Sequence, residues 1–304
     1  MLIFIIILLY LPLIISKISQ TWSNRLGITL TPISNGIWSA DRPFIWNNID
    51  VGGRSVIARL SDEKKSLVVH SPVEWDEELA YSIKNLGGEI KYIISPSFEH
   101  LKYAKQWSMK YPNAKMIGCP GIKDKIPSLN WKELYDDEDN IEFNLKEDGI
   151  DCVWLNCESF LNKPFFNEVV FYHISSNTYI TADSYWNYPE NDLPNYSYGE
   201  DSMSLDVHEC SKVISSKDIP STLPRVQIPL STKLWKFGMD RIYKPFYGNI
   251  MVGNNELSLK RKNYLKAVNT ILDWNTEIIA PCHGDVVRGR NLCTRVLTEH
   301  YQQM

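Results

Sequence analysis

The chain has 304 residues, of which 44% are hydrophobic and 22% are charged. These proportions exclude a disordered or collagen-like chain and supply enough apolar side chains for a full-sized core. There are 32 Lys and Arg residues against 36 Asp and Glu residues, a formal net charge of −4, and no long basic block occurs. The sequence therefore does not indicate a nucleic-acid partner, because such a partner requires a basic surface.

The chain begins with an apolar segment. Residues 1–15 contain no charged side chain. As a helix this segment would reach about 22 Å, less than the ~30 Å hydrocarbon core of a bilayer. The short length favours a signal peptide over residues 1–19 and a protein of the secretory pathway or the extracellular space. An uncleaved membrane anchor is the alternative, and a wrongly assigned start is the third possibility.

Two further features bear on the compartment. The single glycosylation sequon places its acceptor at Asn195, which we expect to carry sugar if the chain is secreted. The cysteines are too sparse and irregular for a disulfide scaffold, so most are expected to be small buried side chains, with one or two disulfides left open. The six cysteines are Cys119, Cys152, Cys157, Cys210, Cys282 and Cys293.

Short apolar runs then alternate with helical patterns. Residues 55–60 and 66–70 are predicted to form paired strands. A helix is predicted next, with Ser71 as its N-cap, Pro72 in the first turn and Glu74 completing a capping box. The predicted inner face of this helix comprises Leu79, Ile83 and Leu86, and its predicted end is Gly87-Gly88.

The same strand–helix unit repeats at once. Residues 90–94 form a short apolar run, and Leu101, Ala104 and Trp107 follow at helical spacing. Residues 115–118 form the next predicted strand. Alternation of strands and helices with short loops predicts a partly parallel sheet with helices packed outside it.

The second half begins with three more predicted strands, at residues 151–155, 168–173 and 178–182. Residues 185–199 are rich in Pro, Asn and Tyr and are expected to form a long exposed loop. A helix is predicted over residues 257–274, with Asn275 as its stop. A buried strand at residues 277–280 leads into Pro-Cys-His-Gly, residues 281–284.

Side chains that could carry chemistry follow three of the predicted strands. They are residues 95–100, Asp183 and His283. In layered α/β folds, functional groups gather where strands end in loops. Each position alone is weak evidence for a site, because a histidine or aspartate at a strand end is commonly a hydrogen-bonded structural residue. The set of three, each after an apolar strand, is what indicates a site.

This set resembles the metallo-β-lactamase fold superfamily. The first superfamily motif, His-x-His-x-Asp-His, falls on Ser-Pro-Ser-Phe-Glu-His at residues 95–100. The bridging aspartate matches Asp183 in Tyr-Ile-Thr-Ala-Asp, and the last histidine matches His283. A closer resemblance is to an uncharacterised branch, the domain of unknown function numbered 4336. The segments that carry it are residues 69–73, residues 92–96 with His100, Trp107 with residues 111–114, residues 168–173, residues 178–183 and residues 281–284. The resemblance spans residues 35–287, most of the chain.

The resemblance implies a four-layer αββα sandwich, an α/β fold of two similar halves. Residues 20–304 would then form a single domain with a loop-rich insertion around residues 185–250. Any site would lie in the cleft between the two sheets. The occupant of that cleft, whether a small molecule or a protein, cannot be identified from the residues.

The departures from the superfamily pattern concern the metal ligands. Serines stand at positions 95 and 97 in place of two histidines, and Glu99 stands in place of an aspartate. On matching positions only His100, Asp183 and His283 remain. Cys157 or Glu158, in the window where the resemblance calls for another histidine, is a further candidate ligand, as is Glu99. The resemblance therefore implies at most one zinc ion rather than a pair.

Two functional classes stay open at this point. The first is a mononuclear zinc-dependent hydrolase of an ester, thioester or phosphoester, and the second is a non-catalytic member of the fold that binds a ligand or protein without metal. The motifs of serine hydrolases, phosphate-binding loops and dinucleotide-binding folds do not occur in the sequence. The other histidines are interpreted as structural: His70, His173, His208 and His300.

Overall fold

A computed structural model describes residues 20–135, 145–157, 164–189 and 226–302. Several predicted features lie outside these residues: the signal peptide or anchor over residues 1–19, Glu158, Asn195, His208 and Cys210. The strands are β1 (Thr31–Ser34), β2 (Ile37–Arg42), β3 (Ile45–Trp46), β4 (Ile49–Asp50), β5 (Gly53–Arg59), β6 (Leu67–His70), β7 (Ile90–Ser95), β8 (Lys115–Gly118), β9 (Trp131–Glu133), β10 (Ile150–Trp154), β11 (Val169–His173), β12 (Thr178–Thr181), β13 (Ile278–Pro281) and β14 (Val287–Arg288).

The regular helices are α1 (Glu77–Leu86), α2 (Ala104–Lys110), α3 (Ile122–Lys125), α4 (Leu230–Gly238), α5 (Leu259–Asp273) and α6 (Arg290–Gln302). After α4 the backbone stays helical through π-helical Met239–Tyr243, a short α-helical turn Lys244–Phe246 and π-helical Tyr247–Gly253. This continuous helical segment, residues 230–253, is called the cover helix below. A 3-10 turn at Ile174–Ser176 joins β11 to β12.

The first sheet has seven strands in the order β1-β2-β5-β6-β7-β8-β9. Strand β5 pairs antiparallel with β6, whereas β6, β7, β8 and β9 run parallel to one another. Helices α1 and α2 form the connections between these parallel strands, as the alternating pattern predicted. Because parallel neighbours end at the same edge, the loop after β7 lies at the edge where the site forms.

The second sheet has five strands in the order β10-β11-β12-β13-β14. Strands β12 and β13 are parallel neighbours, with Thr181 opposite Pro281 at their carboxyl ends. Because the two strands run in the same direction, both end at the same edge of the sheet. The loops that follow them, which carry Asp183 and His283, therefore lie side by side. Adjacent parallel strands thus bring together two residues separated by 100 positions in the sequence.

The two sheets pack face to face between two layers of helices. One apolar cluster joins Leu79 of α1 and Trp107 of α2 through the first sheet to Val169 and Phe171 of the second. A second cluster packs the opposite face of the five-stranded sheet against α5 and α6. This is the predicted four-layer αββα sandwich, although its two sheets differ in size.

The start of α1 differs from the sequence prediction. Asp76, not Ser71, is the N-cap, because its carboxylate accepts the Leu79 N–H at 2.7 Å. The acidic residues of the first turn interact favourably with the positive end of the helix dipole. Ser71 has a φ of +52° and hydrogen-bonds His100 instead. The predicted capping box was wrong because Ser71 belongs to the site.

The segment from residue 185 to residue 250 also differs. The aromatic side chains of Tyr185, Trp186 and Tyr188 are buried rather than exposed. The described part of the predicted loop-rich insertion beyond residue 225 is mainly helical, because Trp235, Met239 and Tyr243 recur every four residues and pack inward. Residues 190–225 of that insertion lie outside the described part of the chain.

Two further observations concern the described residues as a set. Within them, no helix is both long enough and apolar enough to cross a membrane. The five cysteines among them carry free thiols, and four of these thiols are buried. The cysteines of the described ranges therefore act as small core side chains, as expected.

Candidate metal centre

Three loops bring His100, Asp183 and His283 together at one edge of the sandwich. His100 follows β7 of the first sheet, while Asp183 and His283 follow the neighbouring strands β12 and β13 of the second. One ligand atom from each residue lies within 4.8 Å of the other two. The rings of His100 and His283 are 5.5 Å apart between centroids. The convergence expected from the strand ends is therefore present.

The Asp183 carboxylate is the centre of this group. Its Oδ2 lies 3.3 Å from Nε2 of His100, and its Oδ1 lies 3.6 Å from Nε2 of His283. The Ser97 hydroxyl donates a hydrogen bond to Oδ2 at 2.9 Å. All three side chains of the triad are between 11% and 13% exposed, so the group is largely shielded but reachable from outside.

Hydrogen bonds at Nδ1 fix the orientation of the two imidazole rings. Nδ1 of His283 lies 2.7 Å from the carbonyl oxygen of Gly52, and because a carbonyl only accepts, Nδ1 is the donor. Nδ1 of His100 hydrogen-bonds the Ser71 hydroxyl. In both rings Nε2 is thereby directed toward Asp183. Such outer hydrogen bonds are what orients histidine ligands in metal sites.

The charges of the triad stabilise one another. Burial alone would lower the pKa of His100, but the carboxylates around it, Asp183 above all and then Glu168 and Glu99, together raise that pKa above its usual value. Burial alone would raise the pKa of Asp183, but His100 and His283 hold it well below its usual range. Asp183 is therefore an anion, available to a cation placed between the three side chains.

Glu168 positions the loop that carries Asp183. Its buried carboxylate accepts four hydrogen bonds: from the hydroxyl of Thr181 at 2.8 Å and from the backbone N–H groups of Ala182, Asp183 and Ser184 at 2.7, 2.8 and 2.6 Å. Burial and the nearby Asp183 charge raise the pKa of Glu168 to about 7. The sequence analysis did not single out Glu168, although its place beside a strand end was a usable signal.

Two residues hold the His283 loop. The Arg54 guanidinium of the first sheet donates to the carbonyl oxygens of Pro281 and Gly284 at 2.8 and 2.9 Å and pairs with buried Asp41 at 2.6 Å. Gly284 has a φ of +98°, and a Cβ there would lie 2.1 Å from the carbonyl oxygen of Asn187. A glycine after His283 is thus required for the segment at Asn187 to pass so closely.

The remaining candidate ligands lie outside the triad. Cys157 is buried in the second apolar cluster, with its Sγ 3.8 Å from the Tyr247 hydroxyl, and it does not join the group of converging ligand atoms. Glu99 lines the adjoining cavity but is not part of that group either. Burial, then the Asp183 charge, raises the pKa of Glu99. Ser95 is fully buried, and its hydroxyl has no hydrogen-bond partner among the described residues.

A cavity of about 300 Å³ opens directly beside the triad. Its walls are rich in aromatic side chains. The sequence did not reveal this, because these side chains come from distant segments and form no stripe. The Lys102 ammonium lies at this wall, 4.8 Å from the centre of the Phe44 ring. The aromatic and sulfur-containing side chains that line the cavity are Phe44, Trp46, Tyr103, Phe165, Phe166, Trp186, Tyr188, Trp235, Met239 and Tyr243.

The donor set fits a single divalent transition-metal ion. Two imidazole nitrogens and one carboxylate oxygen are ligand types that zinc accepts, and three protein ligands leave a further position for water or substrate. Both imidazoles already have the outer hydrogen bonds that such ligands need. The residues present are therefore compatible with one metal ion held by His100, Asp183 and His283.

The chain shares its fold with several solved structures. The flavodiiron protein from Giardia intestinalis aligns at 13% identity and a TM-score of 0.52, over 91% of this chain and 59% of that one. The metal-soaked Flv1 flavodiiron core from Synechocystis sp. PCC6803 aligns at 12% identity and a TM-score of 0.51, over 90% of this chain and 60% of that one. The chain thus spans about 60% of each flavodiiron chain. A metallo-β-lactamase from Hirschia baltica aligns at 13% identity and a TM-score of 0.48, over 90% of this chain and 96% of that one.

Sequence comparison gives the narrower assignment. No curated protein matches the chain significantly. A family model described as "Domain of unknown function (DUF4336)" matches residues 34–219, which is more than half of the chain and includes His100 and Asp183. The chain has the metallo-β-lactamase fold and belongs to the DUF4336 family.

Proposed function

We propose that the protein is a mononuclear zinc-dependent hydrolase whose substrate, an ester, thioester or phosphoester, carries an apolar group. One observation supports this most directly. Three ligand atoms, from His100, Asp183 and His283, converge within 4.8 Å at the wall of an apolar cavity. A reactive centre beside a shaped apolar cavity is the usual form of a small-molecule site.

The roles of the chain's own residues follow from their contacts. His100 and His283 would each present Nε2 to the ion, and Asp183 would present its carboxylate. Ser97 and Glu168 hold the Asp183 carboxylate and its loop in place. When bound, the zinc ion supplies Lewis acidity that polarises a substrate oxygen and lowers the pKa of water.

One ion, not two, is consistent with these ligands. Two divalent ions about 3.5–4 Å apart repel strongly and need several anionic or imidazole ligands. Ser95 and Ser97 stand where such ligands would be needed, and a neutral hydroxyl is a poor zinc ligand. The Ser97 hydroxyl moreover already donates a hydrogen bond to Asp183.

The cavity restricts the substrate. A cavity of about 300 Å³ is at the lower end of the range for drug-sized ligands. Its aromatic walls favour a compact aromatic or branched acyl group over a sugar or a nucleotide. Lys102 and Glu99 are the charged residues of the wall outside the triad and Arg54. We infer a substrate with an apolar body and its scissile bond directed at Asp183.

The experiment is metal analysis of the purified full chain after mild chelation and dialysis against trace zinc. The expected result is one zinc per chain, lost in His100→Ala and in His283→Ala. Cys157→Ser is the matched control and should retain zinc, because Cys157 lies against Tyr247 rather than in the triad. Loss of zinc in the control but not in the histidine variants would contradict the assignment.

Activity is tested on the same samples. Aryl ester, thioester and phosphodiester probes with small and large apolar groups should be hydrolysed by the zinc form, and hydrolysis should cease in Asp183→Asn. We expect probes with small apolar groups to react faster than those too large for the cavity. Zinc binding without turnover of any probe class would argue against an enzyme.

The second candidate function is a non-catalytic member of the fold that binds a small molecule or protein in the same cleft. The hydrogen bond from Ser97 to Asp183 favours it, because the triad is internally satisfied without metal. This function predicts that apolar ligands bind with equal affinity before and after chelation. The hydrolase predicts that chelation abolishes turnover.

For the location of the protein we propose entry into the secretory pathway, supported by the apolar character of residues 1–15. Expressed in a eukaryotic cell, the chain should lose about 19 residues and carry sugar on Asn195, as expected for a short leader and a sequon. Mass spectrometry of the mature protein measures both. An intact Met1 on cytosolic protein would contradict the proposal.

A further inference from the structure

The cover helix has two apolar faces, of which only one is buried by the described residues. Trp235, Met239 and Tyr243 point into the cavity, and Tyr247 and Met251 are buried behind them. The opposite face consists of large apolar side chains that are between 38% and 72% exposed. These residues, called the outer stripe, are Leu230, Leu234, Phe237, Ile242, Phe246 and Ile250.

The spacing of the outer stripe makes it continuous. Leu230, Leu234 and Phe237 are separated by four and three residues and therefore lie on one face of α4. Ile242, Phe246 and Ile250 then repeat every four residues through the π-helical part. The stripe therefore extends along most of the cover helix. An apolar face of this extent on the surface indicates contact with another apolar phase.

The β3–β4 hairpin adds exposed apolar side chains beside the cover helix. Its Trp46 ring lies 5.1 Å from the Trp235 ring of the cover helix. Ile45 beside it is 57% exposed, and Trp46 itself is 43% exposed. A tryptophan with one side in the cavity wall and the other in solvent is typical of a residue at a membrane–water boundary.

The segment that carries the stripe has an excess of basic residues. Residues 226–266 contain eight Lys or Arg residues and only two Asp or Glu residues, in a chain whose net charge is −4. Arg241 interrupts the stripe on the exposed side, and Lys262 and Lys266 of α5 are exposed. Bulky apolar residues flanked by basic ones are the pattern of a helix that lies in the surface of an anionic bilayer.

We propose that the outer stripe docks this protein on anionic lipid membranes, with the cover helix parallel to the bilayer surface. An acidic protein partner would satisfy the charge. A convex row of leucine, isoleucine and phenylalanine, however, fits a lipid surface better than it fits a protein groove.

Docking would place the cavity directly above the lipid. The helix that carries the outer stripe also forms a wall of the cavity through Trp235, Met239 and Tyr243. An apolar substrate dissolved in the bilayer would then be close to the wall of the cavity. This consequence rests on the proposed function, whereas lipid binding itself requires neither metal nor turnover.

The test is flotation of the full chain with vesicles of phosphatidylcholine alone and with vesicles containing about 30% phosphatidylserine. Four full-length variants are compared. The stripe variant carries Leu234→Glu, Phe237→Glu and Ile242→Glu, and a milder version carries serine at the same three positions. The surface control carries Tyr81→Glu and Met109→Glu, two side chains on α1 and α2 that are 63% and 66% exposed. The leader variant carries Ile6→Asp and Leu9→Asp.

The wild type, the surface control and the leader variant should bind the anionic vesicles. The two stripe variants should bind them about tenfold or more weakly, since they lose the buried apolar area. Raising salt from about 20 mM to about 500 mM should release the wild type, because it screens the basic residues. The serine version keeps the test decisive if the glutamate version fails to fold, as judged by its circular dichroism.

Three results would overturn the proposal. The first is a wild type that does not float with anionic vesicles. The second is a folded stripe variant that binds as tightly as the wild type. The third is binding lost in the leader variant alone, which would assign the membrane contact to residues 1–15. Zinc content, measured on the same samples, distinguishes a failure of this proposal from a failure of the proposed function.

Discussion

At the scale of single residues, the site depends on side chains that do not themselves reach the triad centre. Glu168 holds the Asp183 loop by four hydrogen bonds, and Ser71 and the Gly52 carbonyl orient the two imidazoles. Their arrangement is explained by the requirement that two histidine nitrogens and one carboxylate converge.

Glu168→Gln should both destabilise the protein and weaken metal binding. The amide NH₂ would face backbone N–H donors, and leaving two of these unpaired costs about 1–3 kcal/mol each. Displacement of Asp183 should lower zinc affinity about 10–100-fold, as for other residues that support a ligand. Glu277→Gln is the control, since its bridge to Arg290 is exposed and such pairs contribute about 0–1 kcal/mol. Equal effects of the two changes on zinc titration would contradict the assigned role.

The buried side chain of His70 should make the stability of the folded protein sensitive to acid. It is fully buried against Phe171, and neither ring nitrogen has a hydrogen-bond partner among the described residues. Burial lowers its pKa from about 6.5 to about 3. The unfolded chain therefore binds a proton that the folded chain does not, and stability falls as the pH drops from about 6.5 toward 3.

His70→Phe should make unfolding less dependent on pH in that range. The slope contributed by one such group is about 1.4 kcal/mol per pH unit. At pH 7 the variant should be as stable as the wild type or more stable, because it removes two unpaired polar atoms. Urea unfolding at pH 7 and pH 5 measures both effects. An unchanged pH slope would show that His70 is already protonated or hydrogen-bonded in the folded protein.

At the scale of elements, neighbouring parallel strands place the site. Strands β12 and β13 end side by side and deliver Asp183 and His283, and β7 of the facing sheet delivers His100. Arg54 ties the two sheets together at this edge through the carbonyls of Pro281 and Gly284. The edge is therefore rigid where the ligands are held and apolar where the cavity opens.

Gly284→Ala should loosen this edge. Its positive φ and the 2.1 Å approach of a Cβ to the Asn187 carbonyl would force the two segments apart. We expect a destabilisation of roughly 1–3 kcal/mol and weaker zinc binding. Gly238→Ala is the matched control, because it lies in α4 with no atom within 4 Å of the added Cβ. That change should stabilise the protein by about 0.5–1 kcal/mol, so destabilisation by both alanines would contradict the steric argument.

At the scale of the whole molecule, local patterns predicted the strands, the helices and the partly parallel first sheet. The four-layer arrangement and the choice of His100, Asp183 and His283 as ligands rested on the resemblance to the metallo-β-lactamase fold superfamily. Apolar runs with a period of two or of 3.6 define the strands and helices, and the chemistry follows the strand ends. The cavity was not predictable in this way, because its aromatic walls come from segments far apart in the chain. The cover helix was missed because apolar residues on two faces do not produce one stripe. Ser71 was misassigned because Ser-Pro-x-Glu is a true capping pattern that the site overrides.

The central claim is that His100, Asp183 and His283 hold a single metal ion. X-ray absorption of the full chain loaded with one equivalent of zinc tests it most directly. The spectrum should show nitrogen and oxygen neighbours at about 2.0–2.2 Å with an imidazole signature, and His283→Ala should abolish tight binding. A sulfur neighbour near 2.3 Å, a second metal at about 3.5–4 Å, or no tightly bound zinc at all would contradict the claim.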